Sequence, residues 1–255
     1  MKIDLRFAFV AILLALAGPS TASAAELRVL VAGAYDQVFQ ALLPDFERQT
    51  GNTVKSEKGP AGTLKKRVES GEAFDIAIIT PAVMEGLIKE GKLDGQSLAK
   101  VATVGVGVGV KEGAAKPDIS SVEAVKRALL AAKAVAYTDP ATGASSGMYV
   151  DKLLVRLGIA DQVRPKAKLK AGGHAGDFVA SGDADIVVQQ ASEIIPVKGV
   201  VLVGPLPAEI QNTTTYAAAV SSQSQQKDAA QALIKALTSP AAAAVLKAKG
   251  MDPAK

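Results

Sequence analysis

Short apolar runs alternate with amphipathic segments from Glu26 onward. The runs "LRVLVAG" and "FDIAIIT" are rich in β-branched residues and have the length of buried strands, whereas "YDQVFQALLPDFERQTG" and "GTLKKRVESG" space their apolar residues as helices do. Gly51 and Gly71 are predicted to end these two helices, because glycine is common just past a helix C-terminus. Strands that alternate with helices predict a parallel α/β sheet.

Residues 101–113, "VATVGVGVGVKEG", alternate valine with glycine at period two and so predict a strand. Its glycines do not match a dinucleotide-binding fingerprint, which requires G-x-G-x-x-G at the start of a helix, since Pro117 follows shortly after. We interpret the stretch as a close-packed strand that crosses between two halves of the molecule.

A second α/β run follows this strand. "SSVEAVKRALLAA", with Ser120 or Ser121 as its cap, and "SGMYVDKLLVRLG" predict helices, while "AVAYTD", "ADIVVQ" and "TTTYAAAVS" predict strands. With crossings near residues 104–110 and 202–206, we predict a discontinuous first lobe of residues 25–104 and 207–255. Residues 105–206 then form a second lobe, and the two crossing strands form a hinge on which the lobes close.

The beginning of the chain predicts export. Lys2 and Arg6 precede an apolar run over residues 7–17, and "ASA" ends at Ala24, so residues 1–24 are interpreted as a secretory signal peptide. The apolar run is about half of the roughly 20 residues that a membrane span requires. We therefore expect a soluble periplasmic protein.

Composition excludes several classes of site. The chain contains no cysteine, which excludes disulfides, thiolate zinc sites and a cysteine nucleophile, and argues against a lipid anchor. Its net charge of +4 is spread along the chain and aromatic residues are few, so nucleic acid is not an expected partner. A lone histidine without cysteines gives no expected metal site.

Glycine-rich polar segments recur immediately before predicted helices. They are "AGAY" (32–35), "GPAGT" (59–63), "TGASSG" (142–147) and "AGGHAGD" (171–177). A helix N-terminus offers unpaired N–H groups and a partial positive charge, which suit an anion. With two segments in each predicted lobe, we expect an anion to bind between the lobes.

Ser145 lies between Gly143 and Gly147 in a G-x-S-x-G pattern, which also occurs around hydrolase nucleophiles. A nucleophile elbow requires the strand to turn directly into the serine, but residues 140–142 intervene. The only histidine, His174, follows 29 residues later. These features favour a binding loop, and a secreted serine hydrolase that uses Ser145 is the alternative.

The order and spacing of five segments resemble periplasmic type II solute-binding proteins, specifically the molybdate-binding proteins of ABC transporters. The segments are "LRVLVAGAYDQVFQALLPDFERQTG", "GTLKKRVESGEAFDIAIIT", "GMYVDKLLVRLG", "ASGDADIVVQQASEI" and "SPAAAAVLKAKG". The resemblance implies a two-lobed α/β fold, each lobe a mostly parallel sheet flanked by helices, with a two-strand hinge. It also implies an oxyanion held by hydroxyls and main-chain N–H groups of both lobes, without Lys or Arg.

The resemblance also implies a set of ligand-binding residues: Gly33, Ala34, Tyr35, Gly62, Thr63, Ser145, Ser146, Gly172, Gly173, His174 and Gln190. The chain departs from the family at Ala34, where a serine is usual, and a tyrosine near the last strand is replaced by Gln189 or Gln190. His174 is either a ligand contact or an exposed loop residue, and Tyr35 is either a cavity wall or a core ring. Gln190 is either a ligand donor or a strand residue that faces the cleft.

The expected function is that of a monomeric binding protein that delivers a molybdate- or tungstate-like oxyanion to an inner-membrane ABC permease. We expect no catalysis, no cofactor and no direct metal ligand. The departures from the family admit a small organic carboxylate as the alternative ligand. A signalling receptor subunit with the same fold is a further alternative.

Overall fold

The computed structural model describes residues 24–254, which form a mixed sheet flanked by helices. The strands are β1 (Glu26–Ala32), β2 (Thr53–Gly59), β3 (Ile76–Ile79), β4 (Ala99–Lys111), β5 (Val135–Thr138), β6 (Ala167–Lys170), β7 (Ile186–Gln190), β8 (Val200–Pro205) and β9 (Thr213–Val220). Their order is β2-β1-β3-β9-β4-β7-β5-β6, and β8 pairs with β4 beside this path. Strand β1 pairs in parallel with β2 and β3, and β5 does so with β6 and β7, while β4 and β9 run antiparallel to their neighbours. The predicted signal peptide lies outside the described residues, except for Ala24.

The helices follow the strands as the sequence predicts. They are α1 (Gly33–Thr50), α2 (Ala61–Glu69), α3 (Pro81–Lys89), α4 (Val122–Ala131), α5 (Ser145–Arg156), α6 (Ala160–Val163), α7 (Asp177–Ser181), α8 (Ala191–Ile194), α9 (Lys227–Leu237) and α10 (Pro240–Ala248). Gly51 ends α1 with a φ of 73°, and the Ser121 side chain caps α4. Within residues 24–254, no single helix is long and apolar enough to cross a membrane, and α9 with α10 meet those criteria only together, across a bend of 61°.

Apolar side chains alternate between the two faces of the sheet, so each lobe has a core on both faces. In the first lobe, Val29 and Val31 pack with α1, α9 and α10, while Leu30 faces α2 and α3. In the second lobe, Val188 packs with α4 and α5, while Val187 packs with α7 and α8. These separate cores make the molecule the two-lobed α/β structure that the sequence predicts.

Strand β4 connects the lobes. It pairs with β9 as far as Gly105 and with β7 from Val106 onward. The second connection between the lobes is the chain from β8 to β9. In it, the side chain of Gln211 accepts a hydrogen bond from the Val106 N–H at 2.9 Å and donates one to the Val106 carbonyl at 3.1 Å. These hydrogen bonds join the two connections at the hinge. The exact chain limits of the lobes stay a prediction.

The glycines of β4 permit close packing. A Cβ on Gly107 would lie 2.8 Å from Leu202 Cδ1, and one on Gly109 would lie 2.7 Å from Ile194 Cγ2. The interpretation of this stretch as a close-packed strand is confirmed.

Candidate functional site

A cavity of about 260 Å³ lies between the lobes. The first lobe lines it with Ala32, Gly33, Ala34, Lys58, Gly59, Pro60, Ala61 and Tyr216. The second lobe lines it with Thr138, Ala144, Ser145, Ser146, Gly172, Gly173, His174, Gln190 and Glu193. Groups from both lobes therefore reach any molecule held there.

Helices α1, α2 and α5 begin at this cavity, and their first N–H groups are left without side-chain caps. The residues before them are Ala32, Pro60 and Ala144, which carry no side-chain oxygen, and no side chain in residues 24–254 caps these helices. Away from the cavity, Ser121 caps α4 and Ser239 caps α10, while α3 and α9 also begin without a side-chain cap. The uncapped N-termini give the cavity unpaired donors and partial positive charge from both lobes.

A hydrogen-bonded chain of side chains crosses between the lobes at the cavity wall. Tyr216, on β9, donates from its hydroxyl to Gln190 Oε1 at 2.8 Å, and Gln190 Nε2 donates to Ser145 Oγ at 3.3 Å. Burial raises the pKa of Tyr216, so its phenol stays protonated and available as a donor at neutral pH. The chain joins the first lobe to the starting residue of α5.

Lys58 brings a formal positive charge to the cavity. Its ammonium lies 2.9 Å from Asp36 Oδ2 on α1, and the same carboxylate accepts from Gln40 Nε2 at 3.2 Å. The side chain of Asp36 is 11% exposed and that of Lys58 is 57% exposed. Asp36 thus anchors the ammonium, and the open part of Lys58 remains accessible to an anion.

His174 lies in the loop before α7 and also lines the cavity. Burial lowers the pKa of its imidazole, and the nearby Lys58 charge lowers it further. Asp177, a hydrogen bond with the Glu193 backbone and Asp36 raise it. The Nδ1 atom is buried and has no hydrogen-bond partner among residues 24–254. A buried polar atom without a partner is uncommon, and Nδ1 of His174 is therefore a candidate for a ligand contact.

Glu193, on α8, places a carboxyl group in the cavity next to the start of α1. A Cβ on Gly33 would lie 3.7 Å from Glu193 Oε1. Burial raises the pKa of Glu193 to about 8, against a smaller lowering from its hydrogen bond with Gln189. The neutral carboxylic acid therefore predominates at pH 7.

Neither of the hydrogen-bond partners of Ser145 among residues 24–254 is a general base. Its hydroxyl hydrogen-bonds with the Gln190 amide and the Tyr216 phenol, neither of which accepts a proton from a serine at neutral pH. The structure explains why both flanking residues are glycines. A Cβ on Gly147 would overlap the Thr138 carbonyl oxygen, and Gly143 has a φ of 73°, which favours glycine. The G-x-S-x-G pattern is thus explained by packing.

The cavity brings together most of the residues that the sequence predicts to bind a ligand: Gly33, Ala34, Ser145, Ser146, Gly172, Gly173, His174 and Gln190. Tyr35 is instead a core ring of the first lobe, 6.4 Å from the ring of Tyr216. Gly62 and Thr63 do not line the cavity, and a Cβ on Gly62 would lie 2.7 Å from the Thr142 carbonyl oxygen in the other lobe. The part that these three residues play in binding stays a prediction.

The segment "AGGHAGD" does not act through a helix N-terminus. Helix α7 begins only at Asp177 and has five residues, so Gly172, Gly173 and His174 line the cavity from a loop. The N–H of Ala175 is not free, because it donates to Gln189 Oε1 at 2.9 Å. The prediction of a fourth helix start with free N–H groups is wrong for this reason.

Sequence reasoning missed Lys58, Thr138, Glu193 and Tyr216 as cavity residues. Lys58 directly precedes the "GPAGT" segment at the end of β2, and this position at a strand end was an available signal. Tyr216 supplies a phenol beside Gln190, although a tyrosine was expected to be replaced there. Nothing in the local sequence of the short helix α8 distinguishes Glu193 from a surface residue.

Comparison with known proteins identifies relatives over nearly the whole chain. A family model described as bacterial extracellular solute-binding protein matches residues 27–252. An aconitate isomerase from Pseudomonas sp. is 30% identical over 233 residues, covering 89% of this chain and 87% of the relative. The molybdate-binding protein ModA of Azotobacter vinelandii is 29% identical over 237 residues, covering 90% of each. The solved structure of the Azotobacter vinelandii periplasmic molybdate-binding protein superimposes with a TM-score of 0.74 at 22% identity, over 90% of this chain and 100% of that one.

Proposed function

The chain belongs to the bacterial extracellular solute-binding protein family, and from this premise we propose that its interlobe cavity binds a small organic polycarboxylate. The observation that carries the proposal is the Lys58 ammonium, which lies at a cavity already surrounded by the uncapped starts of α1, α2 and α5. A ligand with several carboxylates can contact several of these positive ends at once. The proposed role is capture of this ligand in the periplasm and its delivery to an inner-membrane ABC permease.

The side chains at the cavity favour a carboxylate over a tetrahedral oxyanion. The resemblance to molybdate-binding proteins implies a site without Lys or Arg, whereas Lys58 lines this cavity. Ala34 contributes no hydroxyl where the family usually has serine. His174 adds a polar ring atom that has no partner within the described residues. The site thus lacks one hydroxyl donor that the resemblance implies and carries the longer polar side chains of Lys58 and His174.

The size of the cavity also favours a carboxylate over a tetrahedral oxyanion. Its volume of about 260 Å³ is several times the roughly 30 Å³ that one water molecule occupies in the liquid. A five-atom oxyanion occupies about two to three such volumes, and a tricarboxylate of about a dozen heavy atoms occupies several more. The tricarboxylate therefore fills more of the cavity and can contact residues of both lobes.

The relatives support a carboxylate without deciding the ligand. One relative is named for an enzyme that acts on aconitate, a propene with three carboxylates, and the other is named for binding molybdate, at nearly equal identity. The cavity chemistry is therefore the basis on which we choose between them.

Isothermal titration calorimetry and thermal shift test the proposal. We expect cis-aconitate, trans-aconitate or the saturated propane-1,2,3-tricarboxylate to raise the melting temperature, because a ligand at 100 times its Kd adds about 2.7 kcal/mol to the free energy of unfolding. Molybdate, tungstate, sulfate and phosphate form the comparison set. A shift with molybdate or tungstate and none with any carboxylate would overturn the proposal.

Molybdate-like oxyanions are the second candidate ligand. The observation in their favour is the convergence of Ser145, Ser146 and three uncapped helix starts, since this donor set needs no formal positive charge. The same titration distinguishes the two, because an oxyanion held only by neutral donors should bind equally well after Lys58 is replaced by methionine.

A further inference from the structure

We propose that Glu193 transfers a proton within a bound unsaturated polycarboxylate and thereby moves its carbon–carbon double bond by one position. This activity rests on the proposed carboxylate binding. It gives the protein a catalytic function in addition to capture of the ligand, in contrast to the expectation of no catalysis drawn from the sequence.

The carboxyl group of Glu193 is held by a hydrogen bond with the Gln189 side chain and not by an ion pair. Its carboxyl group lies in the cavity beside Gly33, and no Lys or Arg among residues 24–254 forms an ion pair with it. Other partly buried carboxylates have clear structural roles, such as Asp75, which accepts from the Arg28 N–H at 2.8 Å and from the Ser224 hydroxyl. A carboxyl group that lines a ligand cavity and has no ionic partner is a candidate acid or base.

The surroundings of Glu193 make it a suitable acid and base. Helix α8 packs against α1, β4, β7 and β8. The titratable groups that line the same cavity are Tyr216, His174 and Lys58, and Asp36 pairs with Lys58. Burial raises the pKa of Glu193 to about 8, close to a neutral working pH, where a group transfers protons in both directions most effectively.

The proposed step balances without a co-reactant. The Glu193 carboxylate removes a proton from the methylene carbon next to the double bond, and the C–H electron pair forms a new C=C bond toward the central carbon. The electrons of the old double bond move onto the former vinylic carbon and its carboxylate, giving a dienolate. Glu193 then returns a proton to that carbon, so an unsaturated tricarboxylic acid with a three-carbon backbone is converted into its isomer with no change in composition.

The cavity also supplies groups that stabilise the intermediate. Negative charge accumulates on carboxylate oxygens as the methylene proton leaves. The Lys58 ammonium and the N–H groups at the starts of α1 and α5 are fixed around the cavity before the reaction. Preorganised donors of this kind lower the barrier most where charge develops.

Proton NMR in D₂O tests the proposal with cis-aconitate and trans-aconitate as separate starting probes. We expect wild type to convert each isomer toward the same mixture, with deuterium entering the methylene position. Glu193→Gln, which keeps the shape of the side chain, should lose at least about 100-fold in rate. Glu193→Asp should recover part of the rate, because it keeps a carboxylate displaced by one methylene.

Calorimetry with propane-1,2,3-tricarboxylate separates binding from catalysis, because this saturated probe has no double bond to move. We expect the exposed helix-surface variant Glu85→Gln to match wild type in both assays. Glu193→Gln should lose far more in conversion rate than in affinity for this probe. Binding of this probe by wild type without any isomer conversion between pH 6 and 9 would overturn this inference alone. Equal conversion rates for wild type and Glu193→Gln would also overturn it, and failure of every carboxylate to bind would overturn the proposed function with it.

Discussion

The hydroxyl of Tyr216 donates a hydrogen bond to Gln190 Oε1 at 2.8 Å and so joins a strand of the first lobe to the end of β7 in the second. Both side chains line the cavity, and Gln190 passes the connection on to Ser145. We expect this hydrogen bond between lobes to favour their closed arrangement, and so to contribute to affinity through closure as well as through direct contact.

Replacing Tyr216 by phenylalanine removes this hydroxyl and should weaken binding of propane-1,2,3-tricarboxylate. We expect an affinity loss of about 5- to 30-fold in calorimetry, which corresponds to roughly 1–2 kcal/mol. Tyr149→Phe is the matched control, because the Tyr149 hydroxyl donates to the Ile210 carbonyl outside the cavity. Equal affinity losses in the two variants would contradict a role for Tyr216 in closure.

Replacing Lys58 by methionine should lower the affinity for a tricarboxylate by about 10- to 100-fold, because a charge-assisted contact is lost. The dependence of the affinity on salt concentration should also become weaker. Lys55→Met is the matched control on the same strand, since Lys55 pairs with Glu26 at 2.8 Å and lies outside the cavity.

A melting curve accompanies this comparison, because Lys58→Met leaves Asp36 without its cation. Stability loss with unchanged tricarboxylate affinity would limit Lys58 to a structural role.

The sequence predicts the helix starts better than the strand-borne groups of the site. Gly33 and Ser145 are recognised because glycine and serine at helix N-termini indicate free N–H groups. Lys58 and Tyr216 lie on strands, where alternation gives the face of a residue but not which end of the sheet meets the other lobe. Glu193 reaches the cavity only because α8 packs against α1, a contact between segments about 160 residues apart that local pattern does not encode.

Gly62→Ala should interfere with closure more than with folding. The added Cβ would lie 2.7 Å from the Thr142 carbonyl oxygen of the second lobe, and backbone atoms do not move aside easily. If the lobes separate without ligand, the ligand-free variant keeps the stability of wild type or gains about 0.5–1 kcal/mol from alanine in a helix. Tricarboxylate affinity, measured by calorimetry, should fall about tenfold or more.

Gly86→Ala, in α3, is the control for this change, because its Cβ would meet nothing within 4 Å. It should gain a similar stability without any change in affinity. Unchanged tricarboxylate binding by Gly62→Ala would show that the contact between Gly62 and Thr142 is not needed for closure.

Glu193 should make the stability of the ligand-free protein fall as pH rises. Its pKa is about 8 in the folded protein against an ordinary value of 4.5, so between these values the folded state holds a proton that the unfolded state has released. The free energy of unfolding therefore falls as pH rises through this window, by about 1–3 kcal/mol when water in the cavity is allowed for. Burial lowers the pKa of His174, which produces a slope of opposite sign near its ordinary value of 6.5.

Comparison with Glu193→Gln isolates the carboxyl group from the imidazole, because His174 is present in both proteins. Urea unfolding between pH 4.5 and 9 should show wild type losing stability relative to Glu193→Gln as pH rises, with the difference levelling off above about pH 8. Glu85→Gln, on the exposed surface of α3, should run parallel to wild type throughout. If the curve of Glu193→Gln also runs parallel to that of wild type, Glu193 ionises in the folded protein as freely as in water, and its suitability as a proton-transfer group near neutral pH is lost.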